Sequence, residues 1–309
     1  MESRQSIRAT LLSVAAIGGL AGVLCFVGPR AAPAAQPEAG NAARGAVLFA
    51  AADCTGCHTD AKAMEPLLAG GEPMRTDFGV FYAPNITPDK TAGIGAWTAA
   101  DFHRAMRAGK GRHGEYLYPV FPYPAFSRMS DADIADLWAY LKTVPASTRP
   151  SHEHEPKPPF GWRPLLLVWR VLFFHKGPQA PVAGQSAEWN RGRYLAEAVA
   201  HCGECHSPRN MLGGIVGKNA YAGNPDGPDH QNAPNITADP KGIGPMSLAD
   251  LEEVLTSGAL PSGDYVGGGM GLVVEGTAKL PLADRHAIAV YIKSLPARPS
   301  TPKKGAKAG

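Results

Sequence analysis

The sequence is poor in charge and in cysteine, and it has no basic block. Charged residues make up 18% of the 309 positions, below the roughly 25% of an average globular chain. That excludes the strongly acidic or basic compositions of disordered chains. Thirty Lys and Arg against 27 Asp and Glu leave a formal net charge of +3. No Lys/Arg-rich stretch stands inside the chain, so it carries no nucleic-acid footprint. Five cysteines are too few for a disulfide-built scaffold. There is no Ser-His-Asp set and no Walker loop. Gly267-Gly268-Gly269-Met270-Gly271 lacks the spacing of a dinucleotide fingerprint. No long alternating strand pattern appears, which predicts an all-α fold.

What is present begins with length. A chain of 309 residues suggests about two domains of ~150 residues each. Its 36 glycines and 29 prolines predict a loop-rich but globular protein, short of low complexity. From Ala9 to Val27 the sequence is uncharged and mostly apolar, preceded by Arg4 and Arg8. This run is nearer to a spanning helix than to the core of a cleaved signal peptide. The expectation is a retained N-terminal membrane anchor over residues 1–40, with residues 29–40 as tether. Cleavage near Ala32-Pro33-Ala34 is the other reading. Arg4 and Arg8 would stay in the cytoplasm and the rest would face the periplasm. Cys25 lies inside the run.

The other four cysteines form two motifs, Cys54-Thr55-Gly56-Cys57-His58 and Cys202-Gly203-Glu204-Cys205-His206. Each is C-x-x-C-H, the spacing of c-type haem attachment. Two thiols on one helical turn can each form a thioether with a haem vinyl group, and the next His can bind the iron. A zinc site shared by the two pairs would need a far shorter gap. The motifs predict two covalent haems c, held by Cys54, Cys57, Cys202 and Cys205, with His58 and His206 as iron ligands.

The surroundings repeat as well. The first cysteines lie 148 residues apart, Ala-Pro-Asn-Ile-Thr recurs after 150, Gly-Ile-Gly after 149, and AYLKTVP is echoed by VYIKSLP after 151. Four anchors in one order imply duplication of a whole domain. Helices are expected over 42–53 and 189–201, each leading into a CxxCH motif. A middle helix in each copy carries Phe102, Ala105 and Met106, or Leu248, Leu251, Val254 and Leu255. The last helix of the first copy follows Ser130, with Ile134, Leu137, Trp138 and Leu141 on one apolar face. The last helix of the second runs over 283–295, with Ile288, Val290, Tyr291 and Ile292 inward. The resulting plan is a first domain over 41–149, an interdomain segment over 150–186, a second domain over 187–298 and a basic tail over 299–309.

A helix leading into CxxCH, a Pro-Asn-Ile loop and a closing helix with an aromatic residue resemble a class I cytochrome c. The segments YLYPVFPYPAFSRMSDADIADLWAYLKTVP and SAEWNRGRYLAEAVAHCGECHSPRN resemble the cytochrome c subunits of membrane-bound bacterial alcohol, aldehyde and gluconate-type dehydrogenases. The resemblance covers about residues 40–297. It implies electron transfer from a dehydrogenase catalytic subunit to quinone, another cytochrome or a terminal oxidase, at the periplasmic side of the inner membrane. The chain itself would make or break no substrate bond. A dihaem peroxidase and a dihaem oxidase subunit are the alternatives.

The resemblance also implies a distal methionine on the loop before each last helix. In the second copy that is Met270. In the first, where relatives read Pro-Ala-Met-Pro-Tyr, this chain has Pro119-Val120-Phe121-Pro122-Tyr123. Met129 and His113 are the remaining candidates there, beside an open position. His152 and His154 fall in a Pro-rich linker, and Pro164–Phe174 is an apolar stretch too short to span a bilayer. That stretch is expected either to pack between the domains or to dock a partner or the membrane.

Overall fold

The computed structural model describes residues 40–227 and 231–303. The N-terminal apolar run, Cys25 and the end of the tail lie outside them. No helix among the described residues is long and apolar enough to cross a membrane.

The first repeat begins with α1 (Ala42–Ala51), capped by the Asn41 side chain, which accepts from the Arg44 amide. The CxxCH turn α2 (Cys54–His58) follows at once. Then come α3 (Ala99–Ala108), the single turn α4 (Tyr123–Phe126) and α5 (Asp131–Leu141). The second repeat runs through α7 (Ala187–Tyr194), a π-helical turn (Leu195–Val199), α8 (Cys202–His206), α9 (Leu248–Ser257), α10 (Gly269–Thr277) and α11 (Leu282–Lys293). Between the repeats lies α6 (Leu165–Phe173). Both middle helices start at a full capping box, Thr98 with Asp101 and Ser247 with Asp250. Each box satisfies two otherwise orphaned amides.

The expected apolar face of α5 is buried throughout, at Ile134, Leu137, Trp138 and Leu141. On α11 the buried set is Ala287, Ile288, Ala289, Tyr291 and Ile292, and Val290 is only half-buried. The first and last helices of each repeat cross at a glycine. A Cβ on Gly45 would lie 2.0 Å from the Asp136 carbonyl oxygen, and one on Gly192 would lie 1.8 Å from that of Ala287. This is the reason each first helix tolerates a residue of poor helix propensity.

Two expectations need correction. The fold is mostly helical but not all-α. Strands β1 (Pro73–Thr76), β2 (Gly79–Tyr82) and β3 (Glu155–Pro156) form a small antiparallel sheet in the order β1-β2-β3. Four-residue strands are too short to show alternation, and β3 arrives from the segment read as linker. The Gly-rich stretch around Met270 is helical: α10 begins at Gly269 and carries Met270 in its first turn. In α6 only Leu166 is buried, while Leu167, Val168, Val171 and Leu172 are exposed. The inner side of α6 still bridges the repeats. Trp169 Nε1 donates to the Leu212 carbonyl at 2.9 Å, and the Trp169 ring meets Tyr123 edge-on.

One continuous core holds residues of both repeats, from Leu48 and Leu137 to Leu195 and Ile288. The contacts are reciprocal. The turn α4 of the first repeat packs on the π-helical turn of the second, and α10 of the second packs on α1 and α2 of the first. A Cβ on Gly276 would lie 2.1 Å from the Ala50 carbonyl oxygen. His201 Nε2 lies 3.3 Å from the Ala52 carbonyl, and its ring meets Phe126. The Ser130 amide donates to the Tyr194 hydroxyl, which donates to Asp133.

Candidate functional site

Each CxxCH turn is reached through a residue in the left-handed region. Asp53 has φ 48° and ψ 40°, and His201 has φ 41° and ψ 38°. Such a backbone costs a non-glycine residue about 1–3 kcal/mol. It reverses the chain directly from the long helix into the one-turn helix. Asp53 offsets part of the cost by accepting the Gly56 amide at 3.2 Å.

The two histidines are held alike. His58 Nδ1 lies 2.7 Å from the Pro84 carbonyl, and His206 Nδ1 lies 2.7 Å from the Pro234 carbonyl. A carbonyl can only accept, so Nδ1 carries the hydrogen and Nε2 keeps its lone pair. Burial lowers the pKa of both rings below the usual histidine value, against the opposing pull of these hydrogen bonds. Both imidazoles are therefore neutral with Nε2 ready to bind a metal. An oriented histidine with a carbonyl behind it is the usual support of a metal-ligating imidazole.

The repeated Pro-Asn-Ile-Thr segment explains how those carbonyls stay in place. Asn85 Nδ2 donates to the carbonyls of Ser147 and Arg149 at 2.8 and 2.9 Å, while its Oδ1 accepts the Thr87 amide. Asn235 Nδ2 donates to the Arg298 carbonyl and Ser300 Oγ, and its Oδ1 accepts the Thr237 amide. Each Asn thus ties the carbonyl-bearing loop to the chain leaving the last helix. The motif was visible in the sequence, but this function was not, because the partners lie more than 60 residues away and are mostly backbone carbonyls.

Two arginines were missed altogether, Arg107 buried and Arg285 half-buried. Arg107 on α3 donates to the carbonyls of Ser127 and Met129 and to Asp131. Arg285 on α11 donates to the carbonyls of Ala278 and Leu280. The same two carbonyls after α4 and after α10 are gripped from different helices, so no repeat pattern could expose the pair.

Cys57 and Cys205 are exposed, and Cys54 and Cys202 are partly so. Yet desolvation pushes Cys57 and Cys202 up to about 12, and raises Cys54 and Cys205 as well. A sulfur that water can touch but protein surrounds faces a concavity. Asp53 and then Cys205 add to the rise at Cys57, which puts the two attachment turns within electrostatic reach of each other. Near them, Tyr123 Oη and Arg170 Nη1 are buried without hydrogen-bond partners. The guanidinium lies 5.3 Å from the Tyr123 ring centroid. A buried donor pair of this kind suits an anionic group such as a haem propionate. The accessible thiols, the oriented imidazoles and these orphaned atoms all fit haem c.

Of the remaining candidates, Met270 is half-buried in the first turn of α10, and Met129 is fully buried in the apolar core. His113 is exposed. Phe121 packs on Phe126 and Tyr123 with centroids 5.6 and 6.4 Å apart. His152 and His154 line a cleft of about 440 Å³ with Tyr82, Tyr118 and Arg163. His103 and His286, which showed no partners in the sequence, pair with Asp131 and Glu252. No cluster of three or more metal-ligating His, Cys, Asp or Glu side chains occurs among the described residues.

Comparison with known proteins agrees with this geometry. The family model described as "Cytochrome c" matches residues 42–145. A diheme c-type cytochrome of Cereibacter sphaeroides is 44% identical over 84% of this chain and 87% of its own length. The cytochrome subunit of fructose dehydrogenase from Gluconobacter japonicus is 38% identical over 87% of this chain, which spans 55% of that subunit. A nicotinate dehydrogenase subunit from Pseudomonas putida is 41% identical over 83% of this chain, but the match covers only 21% of that protein. With paired CxxCH turns, oriented histidines and a relative matched along most of both lengths, the chain belongs to the cytochrome c family.

Proposed function

We propose that the chain is a dihaem electron-transfer protein. It takes electrons from a dehydrogenase catalytic subunit and passes them to quinone, another cytochrome or a terminal oxidase. The observation that carries this reading is the matched pair of histidines, each neutral, each backed by a proline carbonyl and each directly after a Cys-x-x-Cys pair. Haem c supplies one-electron cycling between ferric and ferrous iron.

The chain's own residues hold and shield. Cys54 and Cys57 would anchor one haem, Cys202 and Cys205 the other. His58 and His206 present Nε2 to the metal. Met270, on the first turn of α10, is the sulfur donor for the second site, and a thioether there favours the reduced state. The two repeats read as tandem class I cytochrome c domains over 41–149 and 187–298, sharing one core and bringing their attachment turns together. Close attachment turns suit transfer from one site to the other. The relatives that are dehydrogenase cytochrome subunits support a dehydrogenase as donor. The N-terminal apolar run supports attachment to the inner membrane, with the described residues on the periplasmic side.

Mass spectrometry of the denatured protein, produced in a host that matures c-type cytochromes, tests the reading. Two haem adducts are expected, and both are lost in the Cys54→Ala/Cys57→Ala/Cys202→Ala/Cys205→Ala variant. One adduct or none in the unaltered chain overturns it.

A further inference from the structure

We infer that the first repeat offers its iron no sulfur ligand opposite His58, and that this open position takes a small neutral π-acceptor ligand such as carbon monoxide. The inference rests on the haem reading above.

Backbone hydrogen bonds set the correspondence between the repeats. In the first, Gly111 N donates to Glu115 O at 2.9 Å, Gly114 N to Gly111 O at 3.0 Å and Leu117 N to Gly109 O at 2.9 Å. In the second, Leu260 N donates to Asp264 O at 2.8 Å, Gly263 N to Leu260 O at 2.9 Å and Val266 N to Gly258 O at 2.9 Å. The antiparallel bridges Lys110 to Tyr116 and Ala259 to Tyr265 match as well. So do the positive φ angles of Gly109 with Gly258 and Gly114 with Gly263. Every pair is 149 residues apart. Four residues beyond the last of these bonds, that register puts Phe121 opposite Met270. A phenyl ring has no lone pair to give a metal.

Two of the other sulfurs of the first repeat, Met106 and Met129, fall at core positions. Met106 stands opposite Leu255 in the same register. After α4 and α10 the register becomes 151. The bonds Ser127 N to Tyr123 O and Met129 N to Phe126 O recur as Ala278 N to Val274 O and Leu280 N to Thr277 O. Met129 therefore stands opposite Leu280, and both are buried. Leucine fills these positions in the repeat that has Met270, so they are packing positions rather than ligand positions. Met64 is 90% exposed, and Met74 belongs to β1. His113 sits on the exposed turn opposite Ser262, and His103 Nε2 is taken by Asp131 at 2.8 Å. Phe121 lies against the Phe126 and Tyr123 rings, an aromatic lining, and an open position on ferrous haem takes a neutral π-acceptor.

Carbon monoxide titration of the dithionite-reduced protein, followed in the Soret band, tests this alongside a pyridine haemochrome count of haem. One CO per two haems is expected. Phe121→Met should abolish binding by restoring a sulfur donor, and Met270→Ala should raise it to two. Met129→Leu should leave the stoichiometry at one. Two haems with no CO bound, or a Met129→Leu variant that gains a CO, overturns the inference alone. A haem count below two overturns the reading on which it rests.

Discussion

Gly45→Ala isolates the helix crossing on which the first repeat depends. In a free helix the change would stabilise by about 1 kcal/mol, the propensity difference between the two residues. Here the added methyl would lie 2.0 Å from the Asp136 carbonyl oxygen and 2.9 Å from the Tyr140 Cβ. Real Cβ contacts do not fall below 3.0 Å, so α1 and α5 must separate by roughly 1 Å, the difference a packed core cannot absorb without strain. The opposing atom is backbone, so no side-chain rotation relieves it. The same displacement loosens Asp136, whose carboxylate accepts from the Asn41 amide and from Arg44 at 2.6 Å each. Overpacking of this kind costs about 3 kcal/mol at the upper end of its range. Set against the propensity gain, the net loss is about 2 kcal/mol. For a chain of this size that lowers Tm by about 3 °C. Circular dichroism melting of the haem-loaded protein measures it. Gly271→Ala is the matched control: nothing lies within 4 Å of its would-be Cβ on α10, so a gain of up to about 1 kcal/mol is expected. A Gly45→Ala protein that melts at or above the parent temperature would refute the reasoning.

Asp136→Ala should cost about 1–3 kcal/mol, because it removes the acceptor of the Asn41 amide and the carboxylate that pairs with Arg44; a urea midpoint equal to the parent's would contradict this. His286 is raised above its usual value chiefly by Glu252, whose carboxylate lies 2.6 Å from Nδ1. A raised histidine contributes stability that is full below the unfolded value of 6.5 and is lost as pH rises through the folded one. Glu252→Gln should flatten that part of the Tm–pH profile, and an unchanged profile would remove the linkage. Met270→Ala should erase the far-red sulfur-to-iron absorption of the oxidised protein and lower one of two midpoint potentials; retention of the band would put the sulfur elsewhere.

How much was legible follows the range of the interactions. The CxxCH motifs, the duplication and most of the helices could be read directly, because thioether spacing, capping residues and helical periodicity are local. Ser130 does cap α5, accepting the Asp133 amide. The helical state of Met270 was hidden by four glycines in a row of five, whose low propensity α10 overcomes by packing Gly276 onto α1. The short sheet was hidden because β3 pairs with a strand more than 70 residues earlier.

The sequence alone determined which atoms can hold haem, Cys54, Cys57, His58, Cys202, Cys205 and His206, since that chemistry needs only thiols and an imidazole at fixed spacing. Only the tertiary structure decided how they are presented. It put Pro84 and Pro234 behind the histidines, tied those loops through Asn85 and Asn235, and gave the Met129 carbonyl to Arg107 and the Leu280 carbonyl to Arg285. It also merged the two repeats into one core. Those outcomes rest mostly on backbone atoms meeting side chains more than 20 residues away along the chain, and a carbonyl or an amide looks the same in every residue of a sequence.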